Sequence, residues 1–449
     1  MRLIIAILLI LSGNLMAQNP YFPKTLNMKE RAEVIDRWLE ERVETVLPAL
    51  MERTGIDMWV IIAREYNEDP IIKTLLPATW QSARRTTMLV IFNPGDDKPL
   101  ETMAMARYDV GKLFKKVWDK EKQPDQWKAL ADLIAQKNPK KIGINKSALY
   151  ALADGISSYH HDRLMESLAP KFTKRIVSAE KLSVGWLETR TASEMMVYQN
   201  IVRMAHQMIA EGLSEKVIQP GVTTTSDVVW WYRDRIRELG FTAWFHPTVS
   251  IQRKDPESTE HLRSFSSRPE NQVIIPGDLL HVDFGITYLR LNTDTQQHAY
   301  VLRKSEKSVP EFLKEAFKKG NQLQDVFTDN FKTGRTGNEI LKMTLEEAKT
   351  QGLKPTIYTH PIGFHGHAAG PTIGLWDQQG GVSGPGDYPL YANTAYSIEL
   401  NNAVYLKEWG KEIRIMLEEE AFFDGEEVTY IDGRQTEIMT IPRVLFPNE

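Results

Sequence analysis

The stretch HVDFGITYLRLNTD, residues 281–294, sets two carboxylates, Asp283 and Asp294, eleven residues apart. Before the first aspartate, DLLHVDFG is an apolar run with strand character. After the second, TQQHAYVL resumes a strand pattern, and LRLN between them reads as a turn. A charge buried in a strand is costly unless it is paired. The two aspartates are therefore either half-exposed and without consequence, or they share something positive.

Groups able to join them lie downstream. THPIGFHGHAAGPTIG (359–374) places His360, His365 and His367 in an eight-residue window rich in glycine. AYSIELNN (395–402) carries Glu399 in a strand pattern, and EIRIMLEEEAFF (412–423) embeds Glu418, Glu419 and Glu420 among apolar neighbours. Each signal alone is unspecific, since a strand glutamate is usually solvated and a histidine in a glycine-rich loop is more often structural than a ligand. In the order Asp, Asp, His, Glu, Glu they form an oxygen-rich donor set with one imidazole. Four carboxylates converging at low dielectric would repel one another strongly. Two divalent cations remove that repulsion, and hard oxygen donors suit manganese, with cobalt or zinc as alternatives. Bridging carboxylates let five residues hold two ions roughly 3.5–4 Å apart, a pair that polarises a carbonyl and lowers the pKa of water. That chemistry is hydrolysis.

The rest of the chain frames this set. Its 449 residues, 42% hydrophobic and 25% charged, are enough for two or three globular domains. A net charge of −4 with no basic run gives no reason to expect nucleic acid as a partner. The opening MRLIIAILLILSGNLMA has one arginine, a nine-residue apolar block and a small-residue end. That is signal-peptide grammar over residues 1–17, with Leu15 as its imperfect position, and a buried N-terminal strand is the alternative. No later segment reaches the 18 or so apolar residues of a membrane helix. The absence of cysteine excludes disulfides and a lipid-modified cysteine. The expectation is an exported protein, periplasmic or secreted.

Residues 28–55 have helical spacing. DMWVIIA, TTMLVIF and TMAMARYDV read as strands, QWKALADLIAQKN as a helix and KKIGIN as a short strand. This alternation suggests an α/β domain over 20–185 with no evident catalytic cluster. A long helix over 188–214, capped by Thr191 or Ser193, opens a second domain over 188–449. A capped helix ending at Gly240 follows, then helices near 308–332 and 335–351. SIQRKDPESTEHLRSFSSRPENQ (250–272) is loop-like and could close over a cleft. The eleven tryptophans, WW at 230–231 among them, are expected in core and interfaces rather than in a substrate wall.

At this point the sequence resembles the pita-bread metallopeptidase family, which includes methionine aminopeptidase, Xaa-Pro aminopeptidase, prolidase and the non-metal creatinase. Members carry Asp-x-Gly and a second Asp eleven residues on, as do Asp283 and Asp294 here. HPIGFHGH (360–367) matches the family's H-x-x-G-x-x-x-H, YSIELN matches the strand of the first glutamate, and RIMLEEEAFF loosely matches that of the last. TASEMMVYQNIVRMAHQ and IQPGVTTTSDVVWWYRDRIRELG are similar to its entry helices. The pattern S-D-x-x-R-T becomes TDTQQH, so an arginine near the second aspartate is missing.

The resemblance implies an α+β protein, with a C-terminal pita-bread (creatinase/aminopeptidase) domain after a smaller α/β creatinase-N-like domain. It implies Asp283, Asp294, His360, Glu399 and Glu418 as metal ligands, with Glu420 as the alternative to Glu418. His367 becomes the substrate-facing histidine, and Glu399 the proton shuttle for a metal-bridged hydroxide. A further substrate-side histidine would be His261 or His246. His365 is expected to be a loop residue, and His281 and His298 core residues. The implied activity is that of a dinuclear peptidase cleaving Xaa-Pro bonds, with a peptide substrate and, as in relatives, a homodimer. A metal-free creatinase-like C–N hydrolase and an inactive binding protein on the same fold are the alternatives.

Overall fold

A computed structural model describes residues 22–95, 98–254 and 271–443. The expected leader, residues 1–17, lies outside the described residues, as do His261 and most of the proposed lid.

The first helix, Met28–Thr45, is held at its start by a capping box between Asn27 and Glu30. The single helix expected over 28–55 is in fact two, because Pro48 has no N–H and crowds the preceding turn. The second, Leu47–Thr54, ends at Gly55 with φ +63°. Six strands then form one sheet in the order Lys115–Lys116, Glu101–Met105, Thr86–Phe92, Met58–Arg64, Ile142–Ile144, Ile176–Ser178. The central strand, Met58–Arg64, is buried on both faces, which explains its unbroken apolar run. Met58, Val60 and Ile62 pack with Leu130, Ile134 and Leu164 on one side. Trp59 and Ile61 pack with Leu47, Leu50 and Leu182 on the other. TMAMARYDV, read as one strand to residue 110, leaves the sheet after Met105.

Beyond helix Glu180–Glu188, Thr191 and Glu194 box the N-terminus of helix Ala192–Gly212. Thr224 and Asp227 do the same for Thr225–Glu238, and Thr336 and Glu339 for Gly337–Thr350, which follows Glu311–Thr328. The two helix pairs each cover one sheet. The first packs on Thr248–Gln252, Leu279–Phe284 and Thr295–Val301, with Met439–Ile441 at the edge. The second packs on Pro355–Ile357, Leu400–Leu406 and Lys411–Leu417. A third sheet orders His360–Pro361, Thr394–Ser397, Glu420–Phe423 and Val428–Tyr430.

The chain passes between the second and third sheets three times, at residues 358–359, 398–399 and 418–419. A backbone bridge between Gln296 and Glu418 ties the first sheet to the same line. Three sheets thus meet along a seam that runs past His360, Glu399 and Glu418.

The two halves of the chain interlock beside this seam. Arg42, 1% exposed, donates to Glu194 at 3.0 Å, to the Thr189 carbonyl at 2.6 Å and to the Trp186 carbonyl. Its guanidinium lies 4.8 Å from the Phe364 ring centroid, and that of Arg190 lies 4.6 Å from the same ring. The glycine-rich histidine loop is therefore gripped from outside its own sheet. Among the described residues, no helix is long and apolar enough to cross a membrane.

Candidate metal centre

The two aspartates come from the paired strands Leu279–Phe284 and Thr295–Val301, with Asp283 opposite Gln296. Between them a small hairpin turns through Leu289 and Arg290, both at positive φ (54° and 67°), as a two-residue primed turn requires. Gly285 is dictated by packing, since a Cβ there would run into the Thr293 carbonyl oxygen. This is why the glycine two residues after Asp283 lets the chain return to Asp294. The Asp294 backbone N–H donates to Glu420 Oε1 at 2.5 Å, and the Thr295 hydroxyl reaches both Glu420 oxygens at 3.2 and 3.1 Å.

His360 enters from the loop edge. Its Nδ1 lies 3.0 Å from the Pro361 carbonyl, which can only accept, so Nδ1 carries the proton and Nε2 presents a lone pair. Buried Nε2 has no hydrogen-bond partner among the described residues. It sits 3.8 Å from Asp294 Oδ2 and 3.9 Å from Glu418 Oε1. Burial, with His367 beside it, pushes its pKa down to about 3, so the ring is neutral. Gln296 Nε2 donates to Glu399 Oε1 at 2.5 Å and to Glu418 Oε2 at 2.6 Å, and the Ser397 hydroxyl donates to Glu418 Oε1 at 2.5 Å.

Ligand atoms of His360, Glu399 and Glu418 lie within 4.8 Å of one another, as do those of Asp283, Asp294 and Glu418, and those of Asp294, His360 and His367. Glu418 is common to the first two sets. Burial first, then the neighbouring acids, holds the Asp294 and Glu418 carboxyls well above the usual carboxylate range. Such a cluster is satisfied by protons or by cations. A lone-pair nitrogen with no donor beside it, facing acids that repel one another, fits divalent metal and not a hydrogen-bonded core.

Glu420, the alternative ligand, lies elsewhere. The strand breaks at Glu418–Glu419, so parity is lost and Glu420 groups with His206 and Glu419 behind the seam. His281 and His298 are buried, with His281 Nε2 2.8 Å from Gln296 Oε1 and His298 Nδ1 3.0 Å from the Leu280 carbonyl. Burial carries His298 down to about 4. Among the described residues His365 groups with none of the acids, and burial and Arg190 push it to about 4.

The acids form the floor of a cleft of about 490 Å³, walled by Trp244, Phe245, His246, Tyr358, Leu375 and Trp376. His367 stands exposed on that wall, its ring 4.6 Å from His360 and 5.1 Å from Trp244. Trp244 is pinned by its indole N–H on the Thr293 carbonyl (2.8 Å) and by Gly366, whose missing Cβ leaves room for the ring. His246 stacks edge-on against exposed Trp230 at 5.2 Å. The expectation that tryptophans avoid the substrate wall is corrected for Trp244 and Trp376, which reach it from loops where no helical or strand periodicity marks a facing. Gln296 and Ser397 were also missed, although each lies two residues from a named acid, Asp294 and Glu399 respectively.

Residues 195–418 match metallopeptidase family M24. No sequence among curated proteins matches the chain. An X-Pro aminopeptidase from Thermotoga maritima superposes with a TM-score of 0.60 at 18% identity, covering 87% of this chain and 99% of that one. An Xaa-Pro dipeptidase from Bacillus anthracis gives 0.58 at 17%, covering 92% and 100%. An Asp260Ala form of Escherichia coli aminopeptidase P gives 0.60 at 11%, covering 89% and 96%. At these identities the superpositions establish a shared fold, the pita-bread architecture preceded by an α/β domain. With the family match across both aspartates, the histidine loop and Glu418, the chain belongs to metallopeptidase family M24.

Proposed function

We propose that the protein is an exported, dinuclear metal-dependent peptidase that hydrolyses the bond between an N-terminal residue and proline. The observation that carries this reading is the pair of donor sets, His360–Glu399–Glu418 and Asp283–Asp294–Glu418, sharing one carboxylate on the floor of an open cleft. Divalent cations held there would supply Lewis acidity and an acidified water. Oxygen donors with a single imidazole favour manganese over zinc.

The chain's own groups account for the remaining chemistry. Glu399 is 9% exposed at the cleft edge with one oxygen held by Gln296, so it is placed to take a proton from the attacking water and return it to the leaving amine. His367 lines the same space, partial burial lowers its pKa, and its ring N–H can donate to the developing oxyanion. The aromatic and aliphatic walls suit an apolar residue and a pyrrolidine ring. The solved relatives named for X-Pro and Xaa-Pro activity share the fold and support this substrate class. Export rests on the grammar of residues 1–17.

The test is hydrolysis of an Xaa-Pro dipeptide and tripeptide panel by the purified chain before and after chelation, with Asp294→Ala beside it. Activity lost on chelation, restored by manganese and missing in the variant supports the proposal. Undiminished activity in the metal-free protein would instead favour a creatinase-like route. Metal-loaded protein that hydrolyses nothing would mark a binding protein. Residence of the mature chain in the cytoplasm on cell fractionation would end the export reading.

A further inference from the structure

We infer that His206, far from the cleft in sequence, is a positioning residue of the metal centre: its imidazolium pins buried Glu419 and so fixes the strand break that delivers Glu418. This rests on the metal-centre reading above. His206 projects from helix Ala192–Gly212 behind the seam. Its Nε2 lies 2.7 Å from Glu419 Oε2, and its Nδ1 lies 3.3 Å from Asp432 Oδ2. Both neighbours are acceptors, so the ring meets both only with a proton on each nitrogen, which makes it a cation.

The groups around it alternate in sign. Arg203 donates to Asp432 Oδ1 through Nε at 3.0 Å and Nη2 at 2.5 Å, and Asp432 and Glu419 flank His206. Glu419 is fully buried, and its other oxygen accepts from Gln297 Nε2 and from the Gln435 backbone N–H, each at 2.9 Å. These are neutral donors, so His206 is the only full positive charge in contact with Glu419 among the described residues. A buried carboxylate stripped of its counter-charge is strongly unfavourable. Burial lowers the affinity of His206 for its proton, but Glu419 and Asp432 outweigh it and carry the ring up to about 10.

Glu419 is also placed to transmit what happens to it. Glu418 exchanges backbone hydrogen bonds with Gln296 (2.9 and 3.3 Å), the Glu419 carbonyl accepts from Ile398 N–H at 2.9 Å, and Glu420 holds the Asp294 N–H. A shift of Glu419 therefore moves Glu418 and Asp294 with it. Position 297 is glutamine, and its amide already touches Glu419. A cation placed at 297 would reach the same carboxylate from the opposite strand.

The experiment compares wild type, His206→Gln and the double variant His206→Gln/Gln297→Arg as full chains. Each is stripped with chelator and titrated calorimetrically with manganese, with apo-protein melting and Xaa-Pro kinetics alongside. The expected result is at least a tenfold loss of manganese affinity in His206→Gln, with kcat falling and KM within twofold. The double variant should recover affinity to within threefold of wild type. If His206→Gln does not fold, a double variant that folds and binds manganese supports the same conclusion. Wild-type manganese affinity in His206→Gln, or a double variant as impaired as the single one, overturns the role of His206 alone. A wild-type chain that takes up no manganese overturns the metal-centre reading and this one together.

Discussion

Glu188 offers a quantitative test of how the two halves of the molecule are joined. Its carboxyl is fully buried between helix Glu180–Glu188 and the loop carrying Tyr388. One oxygen accepts from the Tyr388 hydroxyl at 3.0 Å, and Oε2 has no hydrogen-bond partner among the described residues. The nearest guanidinium, Arg53, is 3.8 Å away. Burial outweighs Arg53 and pushes the carboxyl from its ordinary 4.5 up to about 8. Because the folded value is the higher one, the folded chain holds the proton more tightly. The associated stability is complete below about pH 4.5 and is lost as pH rises toward 8. At about 1.4 kcal/mol per pH unit the gap amounts to about 5 kcal/mol, an upper figure. Glu188→Gln cannot ionise, so this loss should vanish. Its amide, placed where Oε2 finds no partner, costs about 1–3 kcal/mol at every pH. The variant should therefore be less stable than wild type at pH 5 and more stable by about 2–4 kcal/mol at pH 9. Urea unfolding of the chelated proteins at pH 5, 7 and 9 reads the crossing, since contributions from the metal cluster cancel in the difference. Parallel stability curves for the two proteins would show that Glu188 does not hold this proton in the folded chain.

Three further outcomes follow from contacts at the seam. Phe364→Leu keeps apolar bulk but removes both cation–π contacts to Arg42 and Arg190, worth about 1–2 kcal/mol each when buried. Steady-state kinetics should show kcat reduced about tenfold and the melting temperature lowered by several degrees, and unchanged kcat would show that the clamp does not hold the histidine loop. Gly285→Ala forces a Cβ into the Thr293 carbonyl. It should cost at least about 3 kcal/mol in denaturant unfolding, and a near-neutral result would contradict the close crossing between the aspartates. Gln296→Leu removes the amide shared by Glu399 and Glu418 and the partner of His281. Manganese affinity should drop about 10–100-fold, the range for lost outer-shell partners, and wild-type affinity by calorimetry would count against the bridge.

How far the sequence discloses this arrangement depends on how local each signal is. Asp283, Asp294, His360, Glu399 and Glu418 could be selected together because each sits in a short strand or loop pattern with its own spacing. The structure gathers all five. The choice between Glu418 and Glu420 could not be read from alternation, since alternation assumes an unbroken strand and the chain changes sheets between Leu417 and Glu420. His206 was invisible for a different reason: its partner Glu419 is 213 residues away, and on helix Ala192–Gly212 a histidine has no local mark of pairing. Pro48 divides the first helical pattern, but apolar spacing continues across it and hid the break. The wall residues Trp244 and Trp376 lie in loops, where composition says nothing about facing. The six-stranded order of the N-terminal sheet mixes parallel and antiparallel neighbours, and only the central strand, apolar on both faces, announced its place.

On the proposed function, acids and one imidazole from three sheets hold two cations. The most direct test is the count of manganese ions bound per chain by the purified, chelator-stripped protein, measured by equilibrium dialysis with elemental analysis. Two ions are expected in the wild type, with a loss of at least one in Glu418→Gln, whose carboxylate belongs to both donor sets. No specific manganese uptake by the wild type, or two tightly held ions after that substitution, would contradict that reading.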